Sequence, residues 1–258
     1  MVVAERPVEK VKPLSYAKVT IIDGDQGSGK SMSAVAFGVD ETHDKMTSIK
    51  LIDGTMVKAR PFLNKQGYPV IGYAKIWMPN EPPKIIKIPP KSIIYAEGVK
   101  IIYNGHMWGI HYLHMELVNI IKHLSKDDPI LKDCLLIIDE AYIGADRREG
   151  LSPLVKVLSK LSKQLRKRHV HLVMCTPDSS ELDLRFQKIE VEHIACNYDE
   201  TSDTVTKFIR NRKKYKRLRE VEYSGYPYRK YYDTDEIFEI PEIQLNRALA
   251  MAGMREEE

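Results

Sequence analysis

The chain has 258 residues, of which 43% are hydrophobic and 29% are charged, and its net charge is +4. This composition argues against global disorder, and the length suits one large α/β domain with insertions. Cys134, Cys175 and Cys196 form no CxxC pair, so neither a disulfide framework nor a zinc knuckle is predicted. The sequence has no signal-peptide core and no run of ~20 apolar residues, so we expect a soluble, cytoplasmic protein without a membrane span.

The first half of the chain predicts one strand, one helix and a region of short strands. After an amino-terminal arm at 1–16, a β-rich run at 17–23 precedes a helical segment at 30–40. Residues 46–103 contain seven prolines between short β-rich runs. This pattern predicts a small β-rich insertion or the edge of a sheet. Apolar residues at helical spacing then predict a helix at 111–124.

The second half predicts buried strands and helices. The run at 134–142 is continuously apolar and ends in two acids, which is typical of a buried parallel strand. Further strands are predicted at 169–176 and 189–198, a helix at 152–168, and a carboxyl-terminal extension at 200–258. Strands alternating with helices predict a three-layer α/β fold with a mostly parallel sheet, and ligands of such a sheet bind beyond the carboxyl ends of the strands.

A glycine-rich loop joins the first strand to the first helix. Residues 21–34, IIDGDQGSGKSMSA, contain the G-x-x-x-x-G-K-S spacing. Backbone N–H groups of such a loop can surround a phosphate at a helix amino terminus. Lys30 would then reach the β- and γ-phosphates of ATP, and the Ser31 hydroxyl would ligate Mg²⁺. The alternative is an ordinary strand-to-helix turn. The predicted ATP-binding residues are Gly24, Gln26, Gly27, Ser28, Gly29, Lys30, Ser31 and Met32.

An acidic pair follows the buried apolar run. Asp139 and Glu140 come directly after Leu135–Ile138. Asp139 is predicted to hold Mg²⁺ together with Ser31, and Glu140 to act as the general base that polarises the attacking water. The alternative is two solvated acids at the end of a strand. A water-activating glutamate favours hydrolysis over phosphate transfer to a small molecule.

Several segments together resemble the ATPases of the FtsK–HerA superfamily. They are similar above all to viral genome-packaging ATPases and to zonula-occludens-toxin-like phage proteins. The resemblance covers about residues 17–200, with a further similarity at 230–237. The segments that carry it are GDQGSGKS at 24–31, LLIIDEA at 135–141, RKRHVHLVMCTP at 166–177, DSSELDLRF at 178–186 and KYYDTDEI at 230–237.

The resemblance implies a RecA-like (ASCE) P-loop fold, ATP hydrolysis and a ring of identical subunits. The family usually places a glutamine sensor at the tip of the third core strand, where the nearest polar residue of this chain is Thr176. An arginine finger from the neighbouring subunit would stabilise charge on the γ-phosphate. Arg185 is the first candidate for this role, followed by Arg147 and Arg148.

A cationic run in the carboxyl-terminal extension is the predicted DNA contact. In a ring, these side chains could neutralise phosphates of a duplex without reading its sequence. A charged surface hairpin is the alternative. The predicted DNA-binding residues are Arg210, Arg212, Lys213, Lys214, Lys216 and Arg217.

These observations predict a ring-forming ATPase that moves double-stranded DNA and packages a viral genome. Its expected partners are duplex DNA, further copies of itself as a pentamer or hexamer, and a capsid vertex protein. We expect it in the host cytoplasm and transiently on the capsid. Two alternatives stay open: a phage assembly or extrusion ATPase, and a P-loop protein that binds nucleotide as a switch.

Overall fold

The computed structural model contains two β-sheets, three α-helices with described bounds and further helical residues at 164–165 and 167–168. The predicted arm at 1–16 lies outside these residues, as does most of the predicted helix at 152–168. The described residues are 18–78, 81–125, 128–141, 164–165, 167–180, 182, 184–189, 192–211 and 219–232.

The chain begins with a strand and a helix, continues through seven consecutive strands, and then returns to strands and helices. The strands are β1 (Val19–Asp23), β2 (Met46–Lys50), β3 (Met56–Leu63), β4 (Pro69–Trp77), β5 (Lys84–Lys87), β6 (Ile93–Ala96), β7 (Ile101–Tyr103), β8 (Leu113–His114), β9 (Cys134–Ile138), β10 (Val170–Thr176), β11 (Glu192–Asp199), β12 (Thr204–Asn211) and β13 (Arg219–Ser224). The helices are α1 (Lys30–Asp44), α2 (Leu117–Ser125) and α3 (Leu184–Ile189).

The larger sheet has eight strands in the order β13-β12-β11-β1-β10-β9-β7-β8. The strands from β11 to β8 run parallel, and β12 and β13 extend one edge as an antiparallel hairpin. The predicted α/β fold with a mostly parallel sheet is therefore confirmed. A single strand, β10, separates β1 from β9, which is the strand arrangement of the ASCE P-loop fold.

The two faces of this sheet carry separate apolar clusters, because successive side chains of a strand point to opposite faces. Ile22 and Ile137 lie in the cluster that also contains residues of α1. Ile21 and Ile138 lie in the other cluster, together with Ile120 of α2 and other helical residues. Strands β9 and β10 are buried along their whole length, as expected for parallel strands between helical layers.

The smaller sheet has five antiparallel strands in the order β5-β4-β3-β2-β6, so it spans Met46–Ala96. The β-rich insertion was predicted to continue to residue 103. Instead, Ile101–Tyr103 is buried in the larger sheet between β8 and β9. Sequence periodicity does not distinguish the two sheets, because both contain short β-rich runs.

The predicted helix at 111–124 begins later than expected. Leu113–His114 forms the edge strand β8, which pairs with Ile102–Tyr103, and α2 begins at Leu117. Leu113 happens to fit the helical period of the residues that follow it. Pairing with β7, which is distant in sequence, decides its conformation.

The carboxyl-terminal extension is attached to the outer side of α1 by buried side chains. The Tyr228 hydroxyl donates a hydrogen bond to Asp40 Oδ1 at 2.7 Å, and burial raises the pKa of Asp40 to about 6. Tyr231 donates to His43 Nε2 at 3.2 Å, and burial lowers the pKa of His43 to about 4. His43 is therefore neutral and accepts this bond, while its Nδ1–H donates to the carbonyl of Val39.

Removal of the Tyr228 hydroxyl should destabilise the fold. We expect Tyr228→Phe to lower the free energy of unfolding by about 1–3 kcal/mol, because a partly buried carboxyl loses its donor. The loss should be larger at pH 8 than at pH 5, since the bond stabilises the charged form of Asp40, whose pKa is about 6. Urea unfolding at both pH values measures the effect.

The matched control is Tyr226→Phe, because the Tyr226 side chain is 73% exposed whereas Tyr228 is 8% exposed. A surface substitution of this kind should change stability by at most about 0.5 kcal/mol. Equal free energies of unfolding for Tyr228→Phe and Tyr226→Phe would contradict the attachment of the carboxyl-terminal extension to α1.

Candidate nucleotide-binding site

The loop between β1 and α1 depends on glycine at several positions. Gly24, Gly27 and Gly29 have φ values of 146°, 77° and 82°, a region that other residues rarely adopt. A Cβ atom on Gly24 would lie 2.7 Å from the carbonyl oxygen of Cys196 and 2.5 Å from Ser28 Oγ. Position 24 therefore excludes any side chain, both by conformation and by the closeness of β11.

Lys30 is buried under this loop. Its Nζ donates hydrogen bonds to the carbonyl oxygens of Gly24 and Asp25, both at 2.8 Å. Gly29 is the N-cap of α1 and provides no side-chain oxygen to the first helical turn. The amino end of α1 thus presents N–H groups without a side-chain cap next to a buried ammonium, which is an arrangement suited to an anion.

Ser28 is a further sign that the loop accepts a ligand. Its hydroxyl is buried and has no hydrogen-bond partner among the residues that the structure describes. An unpaired buried hydroxyl costs about 1–3 kcal/mol. A phosphate oxygen in the loop would accept a hydrogen bond from it and remove this cost.

The acidic residue after β9 lies next to this loop, as the sequence predicts. Ser31 and Lys30 both lie close enough to Asp139 to act on its carboxyl. Asp139 is only 2% exposed. Burial raises the pKa of Asp139, while the Ser31 hydroxyl and the Lys30 charge oppose that rise.

Two residues at the end of β7 hold Asp139 in place. Tyr103 donates its hydroxyl proton to Asp139 Oδ2 at 3.2 Å. Asn104 bonds the Asp139 backbone twice: its Oδ1 accepts from the N–H at 2.7 Å and its Nδ2 donates to the carbonyl at 3.0 Å. The sequence analysis missed both residues. The only available signal was that they end a strand-like run, because their position beside β9 depends on the order of the strands.

The oxygen atoms of Ser31 and Asp139 fit a magnesium ion. Mg²⁺ prefers hard oxygen ligands and commonly takes one or two from the protein, with water and phosphate completing its shell. A divalent ion would also favour the charged form of Asp139, which burial disfavours. These residues could therefore hold the ion, and the metal site stays a prediction.

Glu140 has a strained backbone at the end of this segment. Its φ is 50°, in the left-handed region that is uncommon for residues other than glycine. Its N–H donates to Asp139 Oδ1 at 3.0 Å, and the next residue, Ala141, donates to the carbonyl of Cys175. Burial and the neighbouring Asp139 charge raise the pKa of Glu140. Strain of this kind is concentrated at functional sites.

The structure leaves the remaining catalytic predictions untested. Thr176 is buried at the end of β10, beside Asp23 of β1, and its hydroxyl donates to the carbonyl of Asp178 at 3.2 Å. Arg185 belongs to α3, but its side chain is outside the described part of the chain, as are Arg147 and Arg148. The sensor and the arginine finger stay predictions.

The hairpin of β11 and β12 forms a wall beside the loop that the sequence analysis did not predict. A Cβ atom on Gly29 would lie 3.4 Å from Tyr198 Cβ and from Val205 Cγ2. The Tyr198 hydroxyl donates to Asp203 Oδ1 at 3.0 Å, and Arg229 contacts both side chains. The start of α1 is therefore enclosed by residues of the carboxyl-terminal extension.

The structure contains little of the predicted DNA contact. Arg210 is exposed near the end of β12. The other predicted DNA contacts lie outside the described residues: Arg212, Lys213, Lys214, Lys216 and Arg217.

In the part of the chain that is described, no helix is long and apolar enough to cross a membrane.

Comparisons with known proteins give structural similarities at low sequence identity. Neither a family model nor a curated protein matches the chain. The N-terminal domain of zonular occludens toxin from Neisseria meningitidis has 13% identity and a TM-score of 0.47, with 81% of this chain and 95% of that one covered.

Two further solved structures show a similar level of agreement. The genome packaging NTPase B204 of Sulfolobus turreted icosahedral virus 2, in complex with ATP-gammaS, has 11% identity and a TM-score of 0.42, covering 81% of this chain and 97% of that one. A KaiC-like protein from Pyrococcus horikoshii OT3 has 11% identity and a TM-score of 0.41, covering 80% and 85%.

The fold and the site of this chain define its class through their own geometry. The glycine loop follows β1, its serine lies beside the carboxylate that follows β9, and the parallel strand β10 lies between β1 and β9. This combination is that of an α/β protein with a P-loop fold.

Substitution of Gly24 should disrupt the loop. We expect Gly24→Ala to weaken binding of a fluorescent ATP analogue by at least about tenfold, because the new Cβ would meet the backbone of Cys196 at 2.7 Å; tenfold corresponds to about 1.4 kcal/mol. Fluorescence titration measures the affinity.

The matched control is Gly54→Ala. Gly54 also has a positive φ, 88°, but a Cβ there would meet nothing within 4 Å. Both substitutions place an alanine at a positive φ, but only Gly24→Ala brings a Cβ atom against the backbone of Cys196. Equal affinities of the two variants for the analogue would refute the predicted geometry.

Proposed function

We propose that this protein is an ATP-hydrolysing translocase of double-stranded DNA that works as a ring and packages a viral genome. The observation that carries the ATPase part is the position of the buried Asp139 carboxyl beside Lys30 and Ser31, both of which lower its pKa. It joins the loop suited to phosphate and the carboxylate suited to Mg²⁺ in a single site. The DNA and ring parts rest on the sequence resemblance and on the cationic run that contains Arg210 and Arg212.

In this mechanism the loop and α1 bind and orient the triphosphate. Lys30 would exchange its two carbonyl partners, Gly24 and Asp25, for β- and γ-phosphate oxygens. Ser28 would donate its unpaired hydroxyl to the phosphates. Mg²⁺, held by Ser31 and Asp139, would neutralise charge that develops on the phosphates.

Glu140 would supply the proton acceptor for the attacking water. Its raised pKa makes it a better base than an ordinary glutamate. The hydrogen bond to Asp139 and the backbone bond after it fix the position of the residue. An arginine from the next subunit would complete the site, so hydrolysis would depend on ring assembly.

The proposed role of Glu140 as general base can be tested in a variant that still binds nucleotide. We expect Glu140→Gln to bind the ATP analogue as the wild type does and to hydrolyse ATP about 10²–10⁴-fold more slowly, the usual contribution of a general base. Lys30→Ala should lose binding as well as turnover. The exposed Glu97 provides the control Glu97→Gln, which should hydrolyse ATP at the wild-type rate.

The same assay separates a motor from a switch. Turnover should rise when duplex DNA is added, and mass photometry of the active protein should show a ring. Full DNA-stimulated turnover in Glu140→Gln would remove the proposed base. Nucleotide binding without turnover in the wild type would favour the switch, and a monomeric active protein would contradict the ring.

A further inference from the structure

The five-stranded sheet has one face in the core and one face in solvent. Along β3 and β4, buried and exposed side chains alternate, as expected for a sheet that is covered on one side. The buried positions belong to the same apolar cluster as residues of α1. They include Ile49, Val57, Ala59, Ala74 and Ile76.

The exposed face, called here the outer face, is defined by the side chains on the other side of these strands. Cross-strand pairing places them next to one another in a continuous array. Apart from Trp77, which is partly buried, they are exposed; Met56 and Ile85 are 54% and 55% exposed. The members are Lys50, Met56, Lys58, Arg60, Tyr73, Lys75, Trp77, Ile85 and Lys87.

The segment that forms this sheet carries more net positive charge than the whole chain. Residues 46–96 contain eight Lys and Arg against two Asp and Glu, a net charge of +6, whereas the complete chain has +4. The rest of the chain is therefore net negative by two charges. None of the five strands contains an acidic residue, so the outer face is basic without internal compensation.

Cations on this face repel one another. Arg60 and Lys75 are direct cross-strand partners, and like charges at such positions destabilise a sheet. Each lies 5.7 Å from the centroid of the Trp77 ring, which offsets part of the repulsion. Across the described residues of this sheet, the only ion pair is that of Lys84 with the nearby Glu81.

The residue types on these strands suit a phosphate backbone. Lys and Arg neutralise phosphates. The five strands contain no Asn, Gln, Asp or Glu, the residues that usually recognise adenine and cytosine edges. A polyanion on this face would relieve the repulsion between Arg60 and Lys75 without any preference for sequence.

We propose that the outer face of the five-stranded sheet binds duplex DNA through its phosphates. The choice of DNA among polyanions rests on the proposed function, because a translocase must hold DNA of any sequence. The outer face shares no residue with the cationic run at 210–219. It adds a DNA contact that is built on a regular sheet and lies outside the nucleotide site.

The test uses a triple variant, Lys58→Gln with Arg60→Gln and Lys75→Gln, in the full-length protein. Fluorescence anisotropy with a labelled random-sequence duplex, over a range of salt concentrations, measures affinity and salt slope. We expect binding at least about tenfold weaker near ~0.1 M salt, and a slope of log affinity against log salt that is shallower by about 2–3.

The control removes the same charge elsewhere. Lys132 and Lys167 are exposed just before β9 and β10, and Lys188 is exposed on α3, which packs against the sheet face opposite α1. Changing these three to Gln should alter DNA affinity less than about twofold, because none lies on the outer face. The thermal midpoint of the test variant should stay equal or rise, since repulsion between Arg60 and Lys75 is removed.

The outcomes separate this inference from the proposed function. If the wild type binds DNA and the test variant binds it with an unchanged salt slope, the outer face is not the contact, whatever the motor does. A second triple variant combines Arg212→Gln, Lys213→Gln and Lys214→Gln. The same conclusion follows if this variant binds DNA more weakly and the test variant does not. In both cases the proposed function survives.

Failure of the wild type to bind DNA would overturn both proposals, while ATP hydrolysis would remain intact. Vesicles of phosphatidylglycerol and an oligo-glutamate peptide serve as rival anions. Binding of either one to the outer face, without binding of duplex DNA, would contradict DNA as the partner. Loss of DNA binding in the test variant, with basal ATP hydrolysis unchanged, is the supporting result.

Discussion

The closeness of Ser31 and Lys30 to the buried Asp139 carboxyl is the constraint on which the site depends. It brings the first turn of α1 to the end of β9, while β10 lies between β1 and β9 in the sheet. A buried carboxylate is unfavourable without compensation, so Asp139 depends on the hydroxyls of Ser31 and Tyr103 and on the charge of Lys30. Movement of the loop would therefore change the surroundings of the Asp139 carboxyl at the end of β9.

The carboxyl-terminal extension constrains the same helix from the other side. Tyr223 shares a hydrogen bond with Ser33 at 2.9 Å, Tyr228 and Tyr231 bond residues further along α1, and the β11–β12 hairpin packs against Gly29. Helix α1 therefore links the loop to three parts of the molecule: the larger sheet, the five-stranded sheet and the extension. A displacement of α1 on hydrolysis would reach the basic outer face of the five-stranded sheet directly, because the buried face of that sheet shares its apolar cluster with α1.

Local patterns predicted the parts of this site that are contiguous in sequence. The glycine loop and the Asp139–Glu140 pair follow from spacing and from an apolar run, both of which are visible within a few residues. Strand order brings Tyr103 and Asn104 to Asp139, and hairpin pairing brings Tyr198 to Gly29, so no local pattern reveals these contacts. The same limit explains why β7 was assigned to the insertion and why α2 was expected to begin before Leu117. Tertiary pairing decided both cases.

The most direct test is a crystal structure of the Glu140→Gln variant with ATP and Mg²⁺. The account predicts that Lys30 Nζ leaves the carbonyl oxygens of Gly24 and Asp25, to which it now donates at 2.8 Å, and contacts the β- and γ-phosphates. It also predicts that the metal ion lies between the Ser31 hydroxyl and the Asp139 carboxylate. A nucleotide bound elsewhere, or a metal ion that has neither residue in its coordination environment, would contradict the account.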